Sequence, residues 1–127
     1  MPNADANGIH LAKIIKQATK NMHNAKTYQS LGWLNYLSCL QYVDIILGNS
    51  SSAILEAPSF GKVSINIGDR QKGRLKNKNV FDVPFSEDNI IQKYNSIKKL
   101  AEYSGKNIFF KKNTAEKIIE TIKNYVI

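Results

Sequence analysis

The segment Asp44-Ile45-Ile46-Leu47-Gly48 is a continuous apolar run, rich in β-branched residues and without polar alternation. A strand with one wet face alternates, so a run like this suits a strand covered on both faces, as in a parallel sheet. Val63 to Ile67, closed by Gly68, reads as a second buried strand, and Asn79 to Val83 as a third, weaker one. Helical patterns lie around them. Residues 5 to about 23 place Leu11, Ile15, Ala18 and Met22 on one face, with Asp5 or Asn7 as cap. Residues 34–42 suit a short buried helix, and an apolar helix-like segment follows Asn49-Ser50-Ser51-Ser52 and ends near Pro58. A further helix is expected from Ser86 to about Tyr103, with Ile90, Tyr94, Ile97 and Ala101 on one face. Thr114 is expected to cap the last helix, where Ile118, Ile122 and Val126 line up. Residues 26–30 are a weak strand candidate, and 71–78, basic and without periodicity, is the segment expected to be least ordered. Strands alternating with helices through short loops predict an α/β fold with a parallel sheet.

The chain has 127 residues, which predicts one domain. Its one cysteine, Cys39, excludes an intramolecular disulfide framework and is expected to be a small core residue. His10 and His23 are the only histidines, so no zinc site is expected. No apolar stretch approaches the length of a membrane span, and the N-terminus has neither a basic nor an apolar targeting region; a cytoplasmic location is the expectation. The net charge is +8, but 16 of the 18 basic residues are lysines, in a chain crowded with Ile and Asn. Such lysines suit a solvated surface. The exception is Arg70, Lys72, Arg74, Lys76 and Lys78, five basic residues in nine, where an anionic ligand is worth considering.

Three groups bear on chemistry. In an open α/β sheet, ligands bind beyond the carboxyl ends of the strands. There, Ser50, Ser51 and Ser52 stand at an expected helix N-terminus, where hydroxyls and amides suit a phosphate, or where the serines simply cap the helix. Glu56 sits in an otherwise apolar segment and can accept two hydrogen bonds from a ribose diol, or else forms the exposed face of the helix. Gly68-Asp69-Arg70-Gln71 follows the second strand directly; Arg70 and Arg74 are the only arginines and suit bidentate phosphate contact, unless Asp69 and Arg70 pair locally. Trp33 and Tyr36 can stack on a base, although packing against the sheet suits Trp33 better.

Together, GNSSSAILEAPSFG at 48–61 and SINIGDRQKGR at 64–74 resemble the hydrolysing UDP-N-acetylglucosamine 2-epimerases. PNADANG at 2–8 and SLGWLNYLSCL at 30–40 match the same family in the same order. The branch most similar is the bacterial one that makes N-acetylmannosamine or related sugars for sialic- or legionaminic-acid-type surface glycans. The resemblance implies two Rossmann-like halves in the glycosyltransferase-B arrangement, of which this chain would be most of the C-terminal, UDP-binding half without its first strand or strands. It implies that Ser50, Ser51 and Arg70 hold the diphosphate, that Glu56 binds the ribose, and that Leu31 and Tyr36 lie against the uracil. Ser52, Gln71 and Arg74 would be further anion contacts. The implied reaction is proton abstraction at C2, anti-elimination of UDP to a 2-acetamidoglucal, and addition of water, by carboxylates and a histidine, with no metal or other cofactor.

Those acid–base residues lie upstream of the motif that begins this chain, so no catalytic residue is expected here and the 127 residues alone are expected to be inactive. The absent strand predicts an exposed sheet edge and pairing with another chain, as a homo-oligomer or with a separate N-terminal half. Ala53 stands where the family has glycine, and its methyl is expected to narrow the approach of a phosphate. Alternatives from other classes are a non-catalytic UDP-sugar-binding remnant, another glycosyltransferase-B enzyme, and a nucleic-acid module using residues 70–78.

Overall fold

The computed structural model describes residues 8–100 and 102–125. The expected caps Asp5 and Asn7, most of the motif at 2–8, Ala101 and Val126 lie outside them. The chain divides into two compact units, Met1–Cys39 and Leu40–Ile127.

The first unit contains α1 (Gly8–Thr19) and most of α2 (Gly32–Leu40). The Thr19 hydroxyl donates to the Ile15 carbonyl at 2.8 Å in the last turn of α1, and the helix stops there, short of residue 23. Residues 26–30 form no strand: Lys26-Thr27-Tyr28-Gln29-Ser30 is an irregular, polar connection. Gly32 opens α2 at φ 67°, and its amide donates to the Ser30 hydroxyl. Two expectations for α2 are corrected. Trp33 is 75% exposed rather than packed, and Cys39 is exposed rather than in the core.

The second unit is built on three parallel strands in the order β1 (Ile45–Gly48), β2 (Val63–Ile67), β3 (Val80–Val83). Ile45 pairs with Val63, and Ser64 with Val80. This is the α/β parallel sheet that the alternating pattern predicts, Rossmann-like as the family resemblance implies. Val63, Ile65, Val83 and Ile97 form the buried core, with Ile45, Ile67, Phe81 and Ile90 against it. Two of these come from α4 (Glu87–Ile97), which lies against β2 and β3. By the period of two, Ser64 and Asn66 occupy the other face of β2, and both are fully buried. Only β2 is therefore covered on both faces. The expectation fails for β1, where Leu47 is 57% exposed, because the helix on that face, α4, lies against β2 and β3.

The segment after the serines is shorter than expected. The helix α3 spans only Ser52–Leu55, and a 3-10 turn, Ala57–Phe60, carries Pro58. Gly61 ends that turn at φ 68°, and its carbonyl accepts the Tyr103 amide at 2.8 Å. This bond explains why α4 stops at Ile97 and not near Tyr103: the chain must leave the helix to reach Gly61. In α5 (Thr114–Tyr125), the first intrahelical acceptor is Asn113, at φ 56°. The Thr114 hydroxyl donates backwards to the Lys111 carbonyl, so Thr114 is not the cap. Ile118 and Ile122 are about half exposed.

Candidate functional site

β1 ends at Gly48, and the chain turns through Asn49 and the three serines into α3. Ser50 is exposed, and Ser51 and Ser52 are half-buried. The Ser50 hydroxyl accepts the Ser52 amide at 3.3 Å, and the Ser50 carbonyl accepts the Ala53 amide at 3.3 Å. Ser51 makes no side-chain cap bond. A four-residue helix whose first amides are engaged this way carries little macrodipole. The Ser52 and Ala53 amides are therefore already engaged, and the serine hydroxyls are the side-chain donors that the turn can offer an anion. Ala53 is 2% exposed, so its methyl is turned into protein and does not narrow a solvent-open approach.

The loop after β2 meets this turn through one side chain. Gln71 is 3% exposed; its Nε2 donates to the Asn49 carbonyl at 2.8 Å, and its Oε1 accepts Arg74 Nη1 at 2.8 Å. Gln71 thus ties the serine turn to Arg74, a role that its sequence position alone does not reveal. Arg70 and Asp69 are exposed and form no ion pair with each other; the ion pairs among the described residues are Lys62–Glu102 and Lys76–Asp82. The segment 71–78 is far from loose. Gln71 and Asn77 are buried within it, and Lys76 Nζ binds both carboxylate oxygens of Asp82 at 2.7 Å. Asp82 also accepts Asn66 Nδ2 at 2.6 Å. Partial burial works to raise the Asp82 pKa, but the hydrogen bonds from Lys76 and Asn66 and the charge of Lys76 outweigh it and hold the carboxyl below its ordinary value.

Glu56 follows α3. Its Oε2 is buried and has no hydrogen-bond partner among the described residues. It is therefore not the exposed face of a helix but a buried acceptor in need of donors.

A cleft of about 690 Å³ opens beyond the carboxyl ends of β2 and β3, between Gly68–Gly73 and Asp82–Phe85. Lys72, Lys76, Asp69 and Asp82 line it; Ser50, Ser51, Glu56 and Arg70 do not. Leu31 and Tyr36, both half-buried, belong to the first unit. No group of three or more His, Cys, Asp or Glu residues among the described ones is arranged to hold a metal ion. No described helix is long and apolar enough to cross a membrane.

The amino-acid sequence is similar to those of known proteins. The chain is 47% identical over 81 residues to a GDP/UDP-N,N'-diacetylbacillosamine 2-epimerase (hydrolyzing) of Campylobacter jejuni, covering 63% of this chain and 21% of that protein. It is 36% identical over 97 residues to polysialic acid biosynthesis protein P7 of Escherichia coli, covering 72% and 25%. It is 30% identical over 122 residues to a UDP-N,N'-diacetylbacillosamine 2-epimerase (hydrolyzing) of Legionella pneumophila, covering 96% and 32%. The chain thus spans between about a fifth and a third of the length of these relatives. The family described as UDP-N-acetylglucosamine 2-epimerase matches residues 1–123. With that match running through the serine turn, Glu56 and the Arg70 loop, this chain belongs to the UDP-N-acetylglucosamine 2-epimerase family.

Proposed function

We propose that this chain forms the UDP-binding part of a hydrolysing UDP-N-acetylglucosamine 2-epimerase, which releases UDP and a 2-epimeric sugar such as N-acetylmannosamine for surface glycan synthesis in the cytoplasm. The observation that carries the reading is the Glu56 Oε2, buried and without a hydrogen-bond partner among the described residues, four residues past the last of three serines. A ribose diol offers two hydroxyl donors to such a carboxylate. Ser50 and Ser51 hydroxyls donate to the diphosphate, with Ser52 as a further contact. The Arg70 guanidinium meets the same oxygens, and Arg74, held by Gln71, lies on the same loop.

The chemistry gives these groups a catalytic consequence. When the bond from sugar to UDP breaks, negative charge grows on the departing diphosphate, and fixed donors favour that state over the ground state. Proton transfer at the sugar belongs to residues beyond this chain, which works as part of a larger assembly.

The names of the Campylobacter and Legionella relatives favour a refinement. The sugar is a diacetamido one, N,N'-diacetylbacillosamine, rather than N-acetylglucosamine.

Calorimetric titration of the chain with UDP tests the reading. Micromolar to millimolar binding is expected, weakened about tenfold or more by Arg70→Ala and by Glu56→Ala. A folded chain that binds no UDP, or one indifferent to both changes, would sink it. The nucleic-acid alternative is disfavoured because Lys76 and Arg74 are already engaged by Asp82 and Gln71.

A further inference from the structure

Three asparagines from two distant segments converge on one short helix. Asn79 Nδ2 donates to the Ala53 carbonyl at 3.2 Å and to the Lys62 carbonyl at 2.9 Å. Asn77 Nδ2 donates to the Ile54 carbonyl at 3.3 Å. Asn107 Nδ2 donates to the Leu55 carbonyl at 2.7 Å and to the Ser59 hydroxyl at 2.7 Å. Ala53, Ile54 and Leu55 are the last three residues of α3, and carbonyls at a helix end lack intrahelical donors. Each therefore receives one side-chain amide in their place.

Two of the amides, those of Asn77 and Asn107, are also joined to each other. Asn107 Oδ1 accepts Asn77 Nδ2 at 3.4 Å and the Phe109 amide at 3.0 Å, and Asn77 Oδ1 accepts the Ile108 amide at 2.9 Å. Asn77 and Asn79 are buried, at 5% and 0% exposure. A helix of four residues does not sustain itself, because nucleation is costly and few bonds follow it. Its pose is set by what grips it. Here the grip is on the carbonyl end, while the serine turn enters at the other end and Glu56 follows directly.

We propose that Asn77, Asn79 and Asn107 are positioning residues for UDP: by clamping the last carbonyls of α3 they fix the Glu56 carboxylate and the serine turn in their binding geometry. None of the three touches the ligand. The inference rests on the reading of Ser50, Ser51 and Glu56 given above.

Asn107 is the member to vary, since it is only half-buried. Asn107→Asp keeps the shape and the Oδ1 acceptor, removes both donors, and sets a carboxylate oxygen against the Leu55 carbonyl. Asn107→Ala removes the side chain. Ser59→Ala deletes the other acceptor of the Asn107 amide and leaves its bond to α3. Two readouts are taken on the whole chain, at a temperature where melting curves show every variant folded. They are amide exchange at Ile54, Leu55 and Glu56, whose amides bond to Ser51 and Ser52 carbonyls, and the UDP dissociation constant. Both Asn107 variants are expected to speed exchange at those amides and to weaken UDP about three- to tenfold. Ser59→Ala should leave UDP binding within about twofold. Unchanged exchange or unchanged UDP affinity in Asn107→Asp overturns the clamp, as does an equal loss in Ser59→Ala. Absence of UDP binding by the unaltered chain instead overturns the reading of the site, and shows itself before any variant is made.

Discussion

A buried carboxylate oxygen without a donor is held at a cost in stability, and a site that needs the oxygen for a ligand bears that cost in the free state. Glu56 is such a group. Glu56→Gln is expected to leave the chain equally stable or up to about 1 kcal/mol more stable, while weakening UDP about tenfold. Denaturant unfolding and calorimetry on the same sample check both halves. Asp82 carries a different kind of dependence. Its pKa is lowered in the folded state, so the stability it lends is present above the pKa of the unfolded chain and is lost as pH falls through the folded value. With its side chain 55% exposed, the pair with Lys76 is worth about 0.2–1 kcal/mol. Unfolding free energy should fall by that order below about pH 4, and Asp82→Asn should flatten that limb of the profile.

At the scale of elements, strand β2 is where the core is anchored. Ile65→Ala is expected to cost about 2–5 kcal/mol, read by urea unfolding, because the side chain is fully buried among Val63, Val83 and Ile97. Gly61→Ala should cost about 1 kcal/mol or more, since φ is positive there and a Cβ would stand 3.3 Å from the Tyr103 carbonyl oxygen. All three strands were legible, β1 as an apolar run and β2 and β3 from their Val, Ile and Phe, because burial on a sheet face leaves a direct mark on composition. The strand expected at 26–30 was not formed, since Thr27 and Tyr28 carry β propensity but no apolar face to bury. The length of α3 was illegible for a further reason: its end is fixed by Asn107, some fifty residues on. The order in 71–78 had a faint signal. Asn77 and Asn79 alternate with Lys76 and Lys78, buried against exposed or half-exposed, but a pattern of polar against polar escapes any hydrophobic count. The serine turn, Glu56 and the Arg70 loop stood out by residue type, whereas Gln71 acquires its role only through contact with Asn49.

For the molecule as a whole, release of UDP from UDP-N-acetylglucosamine or from UDP-N,N'-diacetylbacillosamine by the 127-residue chain is expected to be undetectable, even where UDP binds. Coupled assay of free UDP measures this, and turnover lost on Arg70→Ala would refute it. The edge of β1, unpaired among the described residues and with Leu47 exposed, should make sedimentation depend on concentration, and Leu47→Lys should abolish that dependence. The order of the sheet has one more consequence. Its spatial neighbours are neighbours along the chain: Ile45 meets Val63 and Ser64 meets Val80, each across fewer than about twenty residues, so little loop entropy opposes either pairing. During translation, β1 therefore waits only for β2 to leave the ribosome, and β2 only for β3. The nascent sheet can grow strand by strand in the order of synthesis, while Asn107, which completes the grip on α3, emerges only after all three strands.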